Sequence, residues 1–417
     1  VRCMEREEVQ RLVADAVREL RRGASDEEPR GSQVIALVNA ILDTALAEEA
    51  TDIHLEPVNG GLRIRMRVDG MLRERPIRFP SELAPVIIAR LKVMAGIDTA
   101  KRNRPQDGQI RYRSGNRPID MRVAVLPVVD GERMVVRIMD ARECFLSCAE
   151  LGFTARNQEL FERLIHRPTG LLLLCGPMNS GKTTTLYAAL SALNEPSCHI
   201  MTLEDPVERR IDGISQFQVN PEAGLTFVTG LRAALRQDAQ KILLGEIRDR
   251  ETAEMAVRIA LTGHALFSTL HTEDTVSAVF RMIEMGVPSY LLAATLSGVI
   301  AQRLVRRICP HCREEYAVPV GVREAVQLGE LYHEGLYLVR GRGCTHCHGT
   351  GYRGRMAIHE VLPISESIRA AILAGCDKES LRQTAVKDGM ETLWQDGAAK
   401  ACAGETTIAE VARALYG

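Results

Sequence analysis

Two hydrophobic rhythms divide the chain. From Ser32 to Glu48, apolar residues recur at Val34, Leu37, Val38, Ile41, Leu42, Ala45 and Leu46, which is the stripe of a helix with Ser32 placed to cap it. Asp52–Glu56 and Leu62–Val68 then alternate as half-buried strands do, and Asp69-Gly70 marks a turn before a short strand at Met71–Arg73. Ala84–Ala95 predicts a second helix. Ile119–Leu126 and Arg133–Met139 predict a hairpin about Asp130-Gly131. Residues 32–145 therefore predict one small α+β domain. Residues 1–31 precede it as a charged helix, Arg6–Arg22, and a polar linker, Gly23–Gly31.

Beyond this domain the rhythm changes. Thr154–His166 predicts a helix, and Leu171–Cys175 is an unbroken apolar run, the mark of a strand covered on both faces. Ile200–Leu203 and Lys241–Leu244 repeat that signal with helical segments between them, so residues 146–308 predict an α/β domain. Paired cysteines fall in 309–360. After Cys347 the pattern predicts mainly helices, through 361–417, with Ser365 and Gly375 as cap signals. The longest apolar stretches, Leu171–Cys175 and Leu291–Ala301, are too short to span a bilayer. The charged start from Arg2 lacks the apolar segment of a secretory signal.

Composition narrows the function. The 417 residues carry a net charge of −1, and aromatic residues make up 4% with one tryptophan, Trp394, which argues against an extended base-stacking groove. Eleven cysteines, an odd number without a regular framework, fit a reducing compartment without disulfides.

The sharpest chemical motif is Gly176-Pro177-Met178-Asn179-Ser180-Gly181-Lys182-Thr183, followed by Thr184. It fits G-x-x-x-x-G-K-[ST] between a strand and the helical run Thr184–Leu193. Loop N–H groups and the helix N-terminus would surround a β-phosphate, Lys182 would add charge at the β/γ oxygens, and the Thr183 hydroxyl would ligate Mg²⁺. Two later strands end in acids, Glu204 and Glu246. Ligands of open α/β sheets sit at the carboxyl ends of strands. One acid would therefore serve Mg²⁺ or its water shell and the other the attacking water.

Cys309-Pro-His-Cys312 and Cys344-Thr-His-Cys347 are two Cys-x-x-Cys knuckles. Four thiolates close a tetrahedral Zn²⁺ site and leave no position for catalysis, so a structural zinc is expected. His311, His346 and His348 stand nearby as competing ligands.

Taken together, these residues resemble the type II secretion and type IV pilus assembly ATPases. The phosphate loop, Glu204–Glu208 (EDPVE), Gly245–Asp249 (GEIRD) and Gly263–Asp274 (GHALFSTLHTED) look like that family's Walker A, Asp box, Walker B and His box, in order. Thr51–Pro57, Pro105–Gly108 and Gly131–Arg133 resemble its smaller N-terminal domain, and Tyr352–Glu360 its C-terminal part. The resemblance implies a RecA-like core joined to a PAS-like domain, assembled as a homo-hexamer that uses ATP and magnesium. It implies Glu246 as the Walker B acid, acting on magnesium directly or through water, and Glu204 as the catalytic glutamate. It also implies His264 and His271 as γ-phosphate sensors. Arg122 and Arg137 would be offered to nucleotide at the domain interface, and Arg232, Arg236, Arg248 and Arg355 within the core. The zinc element points to assembly or secretion rather than pilus retraction. The expected partners are an inner-membrane platform and cytoplasmic docking proteins, with the chain cytoplasmic and peripheral to that membrane. The sequence departs from the family at Met178-Asn179, usually Thr-Gly, and at Gln240, usually an acid. Asn179 is among the few residue types besides glycine that tolerate positive φ, so phosphate binding is expected to survive.

Two other readings compete. A nucleic-acid translocase of the RecA-like class would use the basic stretches Lys101–Arg113 and Arg303–Arg307. A regulator that binds ATP without hydrolysis is opposed by the presence of Lys182, Glu204 and Glu246.

Overall fold

A computed structural model describes residues 6–22, 32–75, 79–115, 117–139, 146–319 and 327–417. The linker expected at Gly23–Gly31 lies outside these residues. The chain divides into two compact units, Val1–Cys144 and Phe145–Gly417.

In the first unit, α1 (Arg6–Arg22) and α2 (Ser32–Ala47) precede β1 (Asp52–Val58), β2 (Gly61–Val68) and β3 (Met71–Glu74); α3 (Ala84–Met94) leads to β4 (Gln106–Ser114), β5 (Arg117–Val128) and β6 (Gly131–Met139). The six strands form an antiparallel sheet in the order β3-β2-β1-β6-β5-β4. Alternation decides its faces. Leu62, Ile64, Met66 and Val68 are buried in one core with Leu37, Val38, Ile41 and Leu42 of α2, and Val9 and Ala16 of α1 join it. The opposite face is an ionic lattice. Glu56 receives Arg63 at 2.9 Å, Arg65 at 2.5 Å and Arg133 at 3.1 Å, and Asp52 receives Arg137 at 3.1 Å and Arg67 at 3.6 Å. Burial pushes the Glu56 carboxyl up, but the hydrogen bonds from Arg65 and Arg63 outweigh it and hold the group below its usual range. Strand β4 was not legible in the sequence. Its outward positions Asp107, Gln109, Arg111 and Arg113 are exposed, and as an edge strand it reads as a basic stretch.

In the second unit, Thr154 caps α4 (Ala155–Ile165), as its side chain accepts the Asn157 N–H. Then come β7 (Gly170–Cys175), α5 (Lys182–Leu193), β8 (Ile200–Glu204), β9 (Ser215–Gln218), α6 (Phe227–Ala234), β10 (Lys241–Leu244), α7 (Arg250–Leu261), β11 (Ala265–Leu270), α8 (Thr275–Glu284), α9 (Ser289–Thr295) and β12 (Leu296–Ile308). These strands run parallel in the order β12-β7-β11-β10-β8-β9. Leu171 and Leu173 enter one apolar core and Leu172 and Leu174 another, which explains the unbroken apolar run.

The helices expected after Cys347 are present, but a long strand that the sequence did not announce precedes them. Tyr352–Pro363 forms a long strand, β15, antiparallel to β12. Its central residues Met356–Leu362 are all buried, so no alternation announces the strand. The small strands β13 (Arg313–Ala317) and β14 (Tyr337–Gly341) pair beside the cysteines. Helices α10 (Glu366–Ala374), α11 (Lys378–Lys387), α12 (Leu393–Cys402) and α13 (Ile408–Tyr416) follow, and Ser365 and Gly375 cap α10 as expected. Glu360 ties this C-terminal region to the sheet. Its carboxylate accepts the Thr275 N–H at 3.0 Å, the Thr275 hydroxyl at 2.5 Å and the Leu393 N–H at 3.3 Å.

Lys92 of α3 is 1% exposed and pairs with Glu132. Removing one partner of a buried pair leaves an uncompensated charge, at a cost of about 3–5 kcal/mol. Glu132→Ala is therefore expected to lower the chemical stability of the first unit by that amount, and Lys92→Met/Glu132→Leu to restore most of it. A denaturation midpoint for Glu132→Ala equal to the parent's contradicts the reading.

Candidate functional site

Strand β7 is buried on both faces and ends at Cys175, where the backbone must turn sharply into α5. Gly176, Asn179 and Gly181 take φ of +153°, +61° and +87°. A Cβ on Gly176 would lie 2.5 Å from the Gln302 carbonyl oxygen, and one on Gly181 2.7 Å from Gln302 Nε2. The loop is thus a cradle that side chains would fill, and Asn179 does adopt the left-handed geometry expected of it. Gln302 of β12 braces it: Nε2–H donates to the Ser180 carbonyl at 2.9 Å, and Oε1 accepts from Thr185 at 2.7 Å. Lys182 lies within the cradle and donates to the carbonyls of Gly176 at 2.8 Å and Pro177 at 2.9 Å. Ser180 Oγ is buried without a hydrogen-bond partner. An orphaned hydroxyl, a buried ammonium and a helix N-terminus fit a bound phosphate.

The parallel register brings further groups to the same edge. Cys175 aligns with Leu270 of β11 and Ala301 of β12, and Leu244 of β10 with Leu203 of β8. Glu204 ends β8 and is 4% exposed, held by Tyr187, Thr202 and Gln216. Glu246 follows β10 and receives Arg248 at 2.5 Å and His271 Nε2 at 3.4 Å. The hydrogen bond to Glu246 leads the causes that raise the Arg248 guanidinium. Lys182, Glu204, Glu246, His271 and Arg248 are therefore assembled by four strand ends.

Other expected residues lie elsewhere. His264 precedes β11 at the amino edge of the sheet, where its ring meets the Thr262 hydroxyl at 3.1 Å. A six-residue strand separates it from the phosphate loop, roughly 20 Å of chain. Arg232 is exposed on α6 and pairs with Glu251 at 3.3 Å, and Arg236 donates to the Arg232 carbonyl at 2.8 Å. Arg355 stands opposite Arg306, on the part of β15 that runs past the carboxyl edge. Arg122 and Arg137 face each other across β5 and β6, within the first unit. Sequence reading missed Gln302, Tyr187, Thr202 and Gln216. A signal existed for Gln302: it is a polar residue that directly follows the apolar run Val299–Ala301. The basic stretch Arg303–Arg307 is no open groove. Arg303 is buried and donates to the Glu273 carbonyl at 2.6 Å, and Arg306 pairs with Glu410 at 2.7 Å over the Tyr352 ring.

The four cysteines Cys309, Cys312, Cys344 and Cys347 converge with all sulfurs within 4.8 Å of one another. The sulfur–sulfur separations are 3.9, 3.8 and 3.7 Å for 309–344, 312–347 and 344–347. A tetrahedron with Zn–S bonds of about 2.3 Å has edges of about 3.8 Å, so the cluster fits such an ion. The N–H groups of Gly343, Cys344 and Gly351 point at the Cys312 and Cys347 sulfurs at 3.2–3.3 Å, as donors to thiolates do. His311 and His346 stack on each other at 3.9 Å and are exposed, outside the four-sulfur group.

Residues 27–413 match the model of the family described as type II/IV secretion system protein. The chain is 46% identical over 387 residues to the type II secretion system protein E of Dickeya dadantii, covering 91% of this chain and 75% of that protein. It is 46% identical over 389 residues to a putative type II secretion system protein E of Escherichia coli K12, covering 93% and 78%. Identity to the type IV pilus assembly ATPase PilB of Thermus thermophilus is 42% over 374 residues, 90% of this chain and 42% of that protein. Among solved structures, the pilus retraction motor PilT with bound ADP aligns at TM-score 0.61 and 25% identity over 90% of this chain and 95% of its own.

Burial lowers the Lys182 ammonium to about 8 from its usual 10.5. Between these values the unfolded chain holds a proton that the folded chain lacks, so stability from this group rises with pH through that window. The expected role of Lys182, to neutralise phosphate, requires the protonated ammonium. Nucleotide affinity is accordingly expected to fall above pH 8, by up to about tenfold per unit, without loss of fold. Fluorescent-ADP titrations at pH 7, 8 and 9 measure it, and a flat profile equal to that of Lys182→Met refutes it.

Proposed function

The chain belongs to the type II/IV secretion system protein family and is a motor ATPase of that kind, and from this premise we propose how its residues act. The observation that carries the reading is the meeting of the phosphate loop, two acids and His271 at one sheet edge. The loop from Gly176 to Thr184 binds the β- and γ-phosphates of ATP, with Lys182 neutralising their charge. Thr183 and, directly or through water, Glu246 would hold magnesium, which would supply further charge neutralisation. Glu204 orients the attacking water and receives its proton. His271, already in contact with Glu246, reports the γ-phosphate to it; His264 at the far edge would do so only through the strand between them.

Arg122 and Arg137 stand opposite each other on one sheet face. In a homo-hexamer they would be offered to nucleotide, with Arg232, Arg236, Arg248 and Arg355 as core cations at subunit boundaries. Arg137 is tethered to Asp52, a pair that must exchange when phosphate arrives. The work of the motor is the assembly of pilin-like subunits through an inner-membrane platform and cytoplasmic docking proteins. Among the described residues no helix is long and apolar enough to cross a membrane. We place the chain in the cytoplasm, held at the inner membrane by its partners. No observation favours nucleic acid as the partner, and Arg303 and Arg306 are engaged internally.

The four-cysteine cluster is read as a structural zinc site. It closes the end of β12 onto the turn before β15 and leaves no open ligand position.

Two measurements test these roles. Glu204→Gln is expected to lose Mg²⁺-dependent ATP hydrolysis by at least roughly 10²-fold while still binding nucleotide and assembling; hydrolysis at the parent rate transfers the role away from Glu204. Elemental analysis should find one zinc per chain in the parent and none in Cys312→Ser, with a lower melting temperature. A metal-free parent with four freely titrating thiols sinks the zinc assignment.

A further inference from the structure

Glu204 is the most heavily tethered acid at the nucleotide edge. The phenol of Tyr187, on the buried side of α5, donates to Oε2. Thr202, two residues back on β8, donates to Oε1 at 2.5 Å, and Gln216 of β9 donates Nε2–H to the same oxygen at 3.3 Å. Gln216 spends the rest of its amide on the connection between β8 and β9. Its Nε2 also donates to the Arg209 carbonyl at 2.8 Å, and its Oε1 accepts the Ile211 N–H at 2.7 Å. Burial, and then the hydrogen bond to Glu204, hold the Tyr187 phenol above its usual range, so the ring stays a donor.

The three donors come from three different elements. Tyr187 rides on the helix that begins at Lys182, Thr202 is fixed in the sheet, and Gln216 belongs to an edge strand that carries an exposed connection. A glutamate has three side-chain torsions, and three donors on two oxygens leave it one arrangement. An acid that orients water works only in a narrow geometry, where an error near 1 Å costs roughly 10²-fold.

We propose that Tyr187, Thr202 and Gln216 are positioning residues for Glu204, and that Gln216 makes its placement depend on the connection 205–214. The inference rests on the reading that Glu204 orients the attacking water. A push on that connection moves the Arg209 carbonyl and the Ile211 N–H, and Gln216 carries the displacement to the carboxylate. The phosphate-binding helix reaches the same carboxylate through Tyr187. Two separate elements, the connection 205–214 and helix α5, thus converge on one acid without either touching nucleotide through these side chains.

The test uses the full chain and steady-state ATP hydrolysis, with each variant assayed well below its own melting temperature. Tyr187→Phe and Gln216→Leu are expected to lower kcat roughly tenfold to a hundredfold. The KM for ATP and the affinity for fluorescent ADP should stay within about twofold of the parent, since no phosphate contact is removed. Thr202→Val should behave likewise and Thr202→Ser should restore the parent kcat, so the series remains readable if Tyr187→Phe does not fold. Parent kcat in Gln216→Leu and Thr202→Val overturns the proposal, as does a rise in KM at constant kcat. The two readings fail separately. A fully active Glu204→Gln removes the premise, whereas an inactive Glu204→Gln beside fully active donor variants removes only the positioning role.

Discussion

A parallel sheet covered on both faces permits polar side chains at its edges and almost nowhere else. Strand interiors are mainly apolar, a buried hydroxyl such as that of Thr202 or Ser268 needing an internal partner, and their backbone groups pair within the sheet. Leu171–Leu174, Ile242–Leu244 and Leu266–Phe267 obey this fully. All these strands point the same way, so the first polar residues after each one fall along a single line. Lys182, Glu204, Glu246 and His271 share an edge for that reason, although long stretches of chain separate them. The glycines at 176 and 181 answer the same constraint, because the chain must leave a buried strand and enter a buried helix with Gln302 pressed against the turn.

What was legible in the sequence follows from that rule. Strands with one or two covered faces announce themselves by alternation or by unbroken apolar runs, and the helices by their stripes. The phosphate loop and the paired cysteines were legible because their chemistry needs fixed spacing within one segment. The hydrogen-bond partners of Glu204 were not, since each comes from a different element and nothing in Tyr187 or Gln216 alone distinguishes it from a surface residue. Strand β15 was hidden for a related reason. Its buried His359 and Glu360 interrupt the apolar pattern, and Glu360 is there to hold Thr275 and Leu393 rather than to face solvent. His264 shows the reverse. Its neighbourhood in sequence suggests a shared role with His271, but a strand carries the two to opposite edges.

The first unit solves a different problem. Its sheet has one apolar face and one ionic face, and on the ionic face arginines outnumber acids around Glu56 and Asp52. Buried carboxylates at the centre of such a lattice stiffen the surrounding guanidinium groups, which keeps long side chains from wandering at an entropic cost. Arginines on such a face are presented in a set order along the strands. Arg137 is held by Asp52 and Arg122 lies across from it.

The brace that Gln302 gives the phosphate loop has a consequence for how the protein is made. The loop carbonyl it supports, on Ser180, is synthesised about 120 residues earlier. At translation rates of about 5–20 residues per second, the loop would leave the ribosome roughly 6–24 seconds before its support. For most of that interval β7 also lacks β11, and for all of it a complete β12, the strands that flank it. The nucleotide edge is therefore completed only once β12 has emerged, after every other parallel strand of the sheet. A nascent chain has an apolar strand to conceal before it has a competent cradle, which puts a premium on protection by chaperones during synthesis and defers ATP binding until the sheet has closed.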